Sequence, residues 1–165
     1  MVVGELEKVA KRGCPVLTVH AMATVLNAAD RMRTARVGCL LVKDEAGIIV
    51  GIVAERDIVH RIVAEGRDAI TTTIAEIMIH KIFAVKLTTP ISRARDLMSK
   101  HNIRHLPVVE NGVPVAMISA RDILAHEISM VRSVARGNPS LLRELEQLSP
   151  GITEVQMDES GRIVM

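Results

Sequence analysis

The sequence predicts an α/β (α+β) fold in which two β-α-β-β-α repeats pack as a pseudo-two-fold pair. Three observations lead to this prediction. The chain contains an internal repeat, each copy shows the same order of strand and helix patterns, and turn and helix-start signals fall at matching places. With 165 residues, 48% of them hydrophobic, the chain is long and apolar enough to bury a substantial core.

The repeat is read from two pairs of segments. "VLNAADRM" (residues 25–32) aligns with "ISRARDLM" (residues 91–98) at an offset of 66, and "GIVAERDI" (residues 51–58) aligns with "AMISARDI" at an offset of 65. The turn between them loses one residue, where "KDEAG" becomes "VENG". "VGEL" near the start also resembles "IAEI" at residues 74–77, so the two copies run from Val3 to about His126.

Each copy begins with a short strand followed by an amphipathic helix. The strands are "VLTV" and "IFAV". Apolar residues then recur at one-turn spacing, which is typical of a helix with one buried face. Thr89-Pro90 predicts the second of these helices to begin with Thr89 as the cap and Pro90 at the first helical position. The apolar positions are Val25, Ala28, Ala29 and Met32 in the first copy, and Ile91, Ala94, Leu97 and Met98 in the second.

Two strands joined by a tight turn follow, and then a second amphipathic helix. The strand pairs are "VGCLLV" with "IIVGIV", and "HLPVV" with "VPVAMI". Asn111-Gly112 is a hairpin-turn dipeptide, since both residues tolerate positive φ. The second helices are predicted to begin at about Glu55 and about Ala120. One such unit buries only one face of its sheet, so we expect the two copies to pack on each other.

These patterns predict three regions. Residues 1–70 form the first repeat with an N-terminal extension, residues 71–133 form the second repeat, and residues 134–165 form a tail. In the tail, Asn138 and Pro139 indicate the start of one more helix, and the alternation that follows indicates a hairpin. Packing of the tail on a partner subunit and plain disorder remain open alternatives.

Composition excludes several function classes. Only 1% of residues are aromatic, which argues against a base-stacking surface, and a net charge of +2 gives little support for nucleic acid or membrane as a partner. No stretch has the length of a membrane span or the pattern of a signal peptide, so we expect a cytoplasmic protein. Four methionines are predicted to be adaptable core residues, and three arginines the solvated face of a helix. These are Met22, Met32, Met98 and Met130, and Arg31, Arg33 and Arg36.

No catalytic or metal motif stands out. Cys14 and Cys39 form no CxxC pattern, and Cys39 is expected in the core and Cys14 at the surface. The six histidines form no pair at metal-ligand spacing. Because no nucleophile or general base can be named, we expect a protein that is not an enzyme and that needs no cofactor or metal.

The two quoted stretches 51–58 and 116–123 have a purely structural interpretation. Ser119-x-x-Asp122 is close to a capping box, in which the Ser caps a helix and the acid three residues on binds back. In the first copy Ala54 cannot cap in this way, yet Asp57 remains. Capping alone therefore explains the second copy better than the first, although an acid in the first turn still gains from the helix dipole.

Taken together, these segments resemble the cystathionine β-synthase (CBS) domain pair, or Bateman module. The resemblance rests on "GIVAERDI", "AMISARDI", "IRHLPVVENG" and "LTTPISRARDLM", in order and at matching spacing, over about four-fifths of the chain. It implies that clefts between the repeats bind an adenosine-containing compound such as AMP, ATP, NAD or S-adenosylmethionine. It also implies a regulatory role in signal transduction, of the stand-alone type since no effector domain is seen, and a homodimer.

The resemblance also implies site residues. In the family motif an Asp accepts hydrogen bonds from the ribose hydroxyls and a Ser or Thr lies near the ribose or phosphate, which suits an acceptor-only carboxylate beside a helix N-terminus. The second copy is more complete. It offers Ser119, Arg121 and Asp122, with Ala116 in place of the motif's Gly, and with Arg104 and His105 near the phosphates and Ile82 against the adenine. The first copy offers Gly51, Ala54, Arg56 and Asp57, with Ala54 replacing the hydroxyl residue.

Two functions follow as hypotheses. The first is a regulatory protein that binds an adenine nucleotide between its repeats and signals to an unknown regulated partner by a conformational change. The alternative is a dimeric structural or interaction module with vestigial nucleotide sites, which the incomplete motif in each copy favours.

Overall fold

The computed structural model describes residues 1–6, 9, 16–136, 156–157 and 163–164. The chain divides into two compact units, Met1–Ile123 and Leu124–Met165. The first unit contains both repeats up to the start of the last long helix. The second contains the rest of that helix and a short strand pair.

The first repeat forms a three-stranded sheet flanked by helices. Strand β1 (Thr18–His20) runs parallel to β2 (Cys39–Lys43), and β2 runs antiparallel to β3 (Ile49–Ala54). Helix α1 (Val25–Ala35) connects β1 to β2. After β3 the chain turns at once into α2 (Glu55–Ile58), which continues as one π-helical segment, Val59–Val63.

The second repeat has the same elements in the same order. A short helix, α3 (Ile74–Ile77), precedes β4 (Val85–Lys86), α4 (Ile91–His101), β5 (His105–Glu110), β6 (Val113–Ser119) and α5 (Ala120–Arg136). The sheet order is β4-β5-β6, again with one parallel and one antiparallel pairing. The predicted α/β (α+β) fold of two β-α-β-β-α repeats is therefore confirmed.

Turns and helix ends follow local chemistry, with one exception. Asn111 and Gly112 have φ of 50° and 80°, as the predicted hairpin turn requires. The predicted start of α4 is one residue too early. Pro90 is the N-cap and Ile91 the first helical residue, while the Thr89 hydroxyl instead accepts a hydrogen bond from the Lys86 N–H at 2.9 Å.

The segments that precede β1 and β4, here called the leading segments, each pack into the hydrophobic core of the other repeat. Val3, Leu6 and Val9 are buried in the core of the second repeat, together with Leu106 and Ile118. Conversely, three residues of the segment that leads to the second sheet are buried in the core of the first repeat: Ile74, Ile77 and Met78. Packing thus crosses the boundary at residue 70 that the sequence predicts, and each repeat completes the core of the other.

Hydrogen bonds hold these exchanged segments in place. The N–H groups of Val3 and Gly4 donate to the carbonyls of Thr89 and Leu87 at 2.8 Å. In the first repeat, Ile52 and Ile79 exchange two backbone hydrogen bonds of 3.0 and 2.9 Å across the edge of β3. The leading segments are therefore fixed by backbone pairing as well as by burial.

Several predicted side-chain environments can be compared with the structure. Met32, Met98 and Cys39 are buried as predicted. The prediction is wrong for Met22 and Met130, which are 62% and 41% exposed, because Met22 lies in the turn before α1 and Met130 on an exposed side of α5. Cys14 and the predicted tail helix at Asn138 lie outside the described residues. Arg31, Arg33 and Arg36 are exposed, as the sequence predicts.

In the second unit, β7 (Gln156–Met157) pairs antiparallel with β8 (Ile163–Val164), where the sequence predicts a hairpin. Among the described residues, no helix is both long and apolar enough to cross a bilayer.

Candidate functional site

Strand register brings the candidate residues of each repeat together. In the second repeat His105, the first residue of β5, lies directly opposite Ser119, the last residue of β6. The Ala120 N–H donates to the Arg104 carbonyl at 2.9 Å, which holds the start of α5 against the start of β5. The sequence places these residues about 15 positions apart, and the antiparallel pairing makes them neighbours.

Ser119 and Asp122 form a complete capping box. Asp122 Oδ2 accepts from the Ser119 N–H at 2.7 Å and from the Ser119 hydroxyl at 2.6 Å. The Ser119 Oγ in turn accepts from the Asp122 N–H at 3.3 Å. Both side chains are half-buried. The pair therefore closes the N-terminus of α5 on its own, as the capping interpretation predicts.

In the first repeat, Asp57 makes only the backbone hydrogen bond of the capping box. Its Oδ2 accepts from the Ala54 N–H at 2.8 Å, and Ala54 has no side-chain oxygen to return the bond. The presence of Asp57 is thus also explained by capping. An acid at this position can satisfy the cap N–H without a hydroxyl partner, so capping accounts for Asp57 more fully than the sequence predicts.

Arg56 of the first-repeat motif is hydrogen-bonded to the second repeat. Arg56 Nη1 donates to the carbonyl of Asn102, the left-handed residue that ends α4, at 3.1 Å. Positively charged groups suit the C-terminus of a helix, where carbonyls are unpaired. Arg56 is half-buried, and this contact directs its guanidinium toward α4.

Gly38 is a second junction between the repeats. A β carbon on Gly38 would lie 3.1 Å from His105 Cε1, 3.3 Å from His105 Nε2 and 3.3 Å from Glu55 Oε2. The imidazole of the second repeat and the carboxylate of the first therefore both pack over one glycine. The Glu55 N–H also donates to the Gly38 carbonyl at 3.0 Å, which matches the bond between Ala120 and Arg104.

Gly51 is needed for packing whether or not it contacts a ligand. A β carbon there would lie 2.7 Å from Met78 Sδ and 3.2 Å from the Ile79 carbonyl oxygen. The exchanged segment that carries Met78 crosses β3 at this point. The absence of a side chain lets the two backbones approach, which is a structural reason for the glycine of "GIVAERDI".

Ile82 lies in the loop before β4. It is half-buried and three residues before Val85, which pairs in parallel with Val108 of β5. The adjacent Phe83 stacks on His101 at 3.9 Å between ring centroids, and Lys81 Nζ lies 5.3 Å from the Phe83 centroid.

The remaining cations of the second motif point to solvent. Arg104 and Arg121 are exposed, and they flank the half-buried Ser119 and Asp122. In the part of the chain that the structure describes, no cluster of three or more His, Cys, Asp or Glu side chains could hold a metal ion.

The structure therefore assembles Arg104, His105, Ser119 and Asp122 at one end of the second sheet. It places Ala54 and Asp57 at the equivalent end of the first, and directs Arg56 to Asn102. Glu55 and Asn102 are contact residues that the sequence motifs do not predict. Glu55 was visible as a difference between the copies, because Ala120 holds the matching position. Asn102 became important only through the three-dimensional contact.

Two repeated sheets, each ending in a helix-start motif and joined at those ends, define a paired α/β module. The model of the CBS domain matches residues 4–64 and 74–129. The chain therefore belongs to the CBS domain family, as the sequence resemblance predicts.

Individual proteins agree with this assignment. The chain is 31% identical over 131 residues to the CBS domain-containing protein CBSCBSPB2 of Arabidopsis thaliana, covering 79% of this chain and 24% of that protein. It thus spans about a quarter of the length of that curated relative. A CBS-domain protein from Burkholderia ambifaria MC40-6 has a similar structure, with a TM-score of 0.68 and 32% identity over 71% of this chain and 85% of that one.

A second similar structure contains ligands. The CBS domain pair of protein MJ0100, in complex with 5′-methylthioadenosine and S-adenosyl-L-methionine, has a TM-score of 0.67 and 25% identity. The match covers 79% of this chain and 98% of that one.

Proposed function

We propose that this protein binds an adenosine-containing compound at the motif of its second repeat and signals to a regulated partner by a conformational change. AMP, ATP, NAD and S-adenosylmethionine are the candidate ligands. The observation that carries the proposal is the convergence of Arg104, His105, Ser119 and Asp122 at one end of the second sheet. The similar CBS pair that holds two adenosine derivatives supports the same ligand class.

The chemistry of this cluster suits the parts of such a ligand. The carboxylate of Asp122 is an acceptor-only group at the start of a helix, which is the type of group that neighbouring hydroxyls such as those of ribose require. The exposed guanidinium groups of Arg104 and Arg121 can donate to phosphate. Aliphatic Ile82 offers a surface for the adenine.

A bound ligand can transmit a signal because the two repeats meet at this end of the sheets. The contacts from Arg56 to Asn102 and from Gly38 to His105 join the first-repeat motif to the second repeat. A ligand shifts the arrangement of the repeats only by the difference between its affinities for the two arrangements. His105 and Arg56 are the side chains through which that difference would act. We therefore assign the protein a regulatory role rather than a catalytic one.

Isothermal titration calorimetry with AMP, ATP, NAD and S-adenosylmethionine tests this function. At least one compound should bind with one strong site per chain. Absence of heat with all four at millimolar concentration, confirmed by equilibrium dialysis, would contradict ligand sensing. That result would favour the alternative, a dimeric interaction module with vestigial sites.

We also propose a homodimer in the cytoplasm. Its support is apolar side chains at helix surfaces: Val59 and Val63 after α2 are 53% and 70% exposed, and Leu124 and Val131 of α5 are 56% and 49% exposed. Exposed apolar helix faces are suited to an isologous contact between two copies of one chain.

A further inference from the structure

We propose that Glu55 is a selectivity residue that weakens the binding of adenosine compounds in proportion to the number of phosphates they carry. This inference rests on the proposed function and narrows its ligand class. It concerns the one acidic side chain described as packing against Gly38 beside His105.

The geometry places a carboxylate next to a proposed phosphate contact. Glu55 Oε2 and His105 Nε2 each lie 3.3 Å from the position of a β carbon on Gly38. The two side chains therefore share the same small surface at the junction of the repeats. A phosphate that reaches His105 comes close to the Glu55 carboxylate.

The two helix-start turns differ in charge. Glu55 and Asp57 lie two residues apart in the first-repeat turn, and the guanidinium of Arg56, between them, keeps its charge while it donates to the neutral Asn102 carbonyl. In the second repeat the position equivalent to Glu55 is the uncharged Ala120.

Coulomb repulsion grows with ligand charge. Glu55 is exposed, so solvent and salt reduce this repulsion, but its carboxylate packs over the half-buried Gly38 and His105, which keeps it close to the proposed phosphate contact. Adenosine carries no phosphate and should be indifferent to Glu55. AMP carries one phosphate and ATP three, so the repulsion increases in that order. The structure therefore implies a graded effect, which general damage to the fold would not produce.

The experiment measures the dissociation constants of adenosine, AMP and ATP for the unmodified chain and for Glu55→Gln by isothermal titration calorimetry. We expect Glu55→Gln to bind AMP about three times and ATP about ten times more tightly, with adenosine unchanged within about twofold. Glu55→Ala should behave like Glu55→Gln, because Ala120 shows that the matching position tolerates alanine. Glu55→Asp, which keeps the charge, should show a smaller gain.

Glu45→Gln is the matched control. Glu45 is an exposed acid in the turn between β2 and β3, at the far end of that strand pair from Gly38. Glu45→Gln removes the same charge as Glu55→Gln and should leave the dissociation constants of adenosine, AMP and ATP unchanged. Equal gains from Glu45→Gln and Glu55→Gln, or gains that do not increase from adenosine to ATP, would overturn the selectivity role. If AMP and ATP bind but Glu55 variants change nothing, only this inference fails. If no adenosine compound binds any variant, the proposed function fails with it.

Discussion

Capping and ligand binding make compatible demands on the two motif aspartates. Asp122 and Asp57 each use Oδ2 to accept the N–H of the residue before the helix. A hydrogen bond to a charged group contributes about 1.5–3 kcal/mol, and less where it is exposed to solvent. A motif that must place a carboxylate rigidly at a helix N-terminus gains from the same bond. The cap therefore orients the carboxylate that a ribose would need.

Gly51 gives a stability prediction at the residue scale. Gly51→Ala should lower the free energy of unfolding by about 1–3 kcal/mol, because the new methyl group overlaps Met78 Sδ and crowds the Ile79 carbonyl. Chemical denaturation measures this loss. In a double-mutant cycle, Met78→Ala should recover part of it. A neutral Gly51→Ala variant would show that the segment does not cross β3 as described.

Among the secondary-structure elements, the exchanged leading segments decide which residues complete each hydrophobic core. Residues 74–78 pack into the first core although they follow the first repeat, and the start of the chain packs into the second core. Neither repeat has a complete core without a segment that the other carries. Truncation within an exchanged segment should consequently loosen the sheet that the segment covers before it loosens the sheet that the segment leads into.

Ile77→Ala tests this exchange. Ile77 is fully buried in the first core, so truncation should cost about 2–5 kcal/mol. Native-state hydrogen exchange should show the loss of protection first in β1–β3, although Ile77 directly precedes the second sheet. The mirror variant Leu6→Ala should loosen β4–β6 first. The opposite assignment of either variant would contradict the exchange.

The cap of α3 gives a pH prediction. Hydrogen bonds from the Thr73 backbone and hydroxyl, with the Arg67 guanidinium, lower the pKa of Glu76 below its ordinary value of 4.5. A carboxyl whose pKa is lower in the folded state stabilises the fold above pH 4.5, and this contribution is lost as pH falls through the folded value. Glu76→Gln should therefore be less stable than the parent chain at neutral pH. Denaturation curves should converge at acidic pH, and a gap that persists or widens in acid would contradict the assignment.

The sequence predicted the fold because its signals are local and occur twice. Apolar spacing, the Asn111-Gly112 turn and the helix starts at Glu55 and Ala120 are each decided within a few residues. The exchange was not predicted, because the similarity of "VGEL" to "IAEI" shows equivalence but not which sheet each segment covers. The junction at Gly38 escaped prediction for a related reason, since it depends on packing between repeats.

At the scale of the whole molecule, the exposed helix surfaces predict association. Sedimentation velocity should show a dimer, and Val63→Glu should shift it toward monomer by placing a charge in the apolar contact. Val113→Glu is the control, since Val113 is 61% exposed beside the Asn111-Gly112 turn. A monomeric parent chain, or equal effects of the two substitutions, would contradict the proposed dimer.

The two motifs are unequal, and we expect the second repeat to hold the ligand. Titration of the parent chain, Asp122→Ala and Asp57→Ala with AMP, ATP, NAD and S-adenosylmethionine measures this difference, after thermal unfolding confirms that both variants are folded. For the compound that binds best, we predict that Asp122→Ala weakens binding at least about tenfold, while Asp57→Ala changes it less than about threefold. Equal losses, or a larger loss with Asp57→Ala, would contradict the assignment of the site to the second repeat.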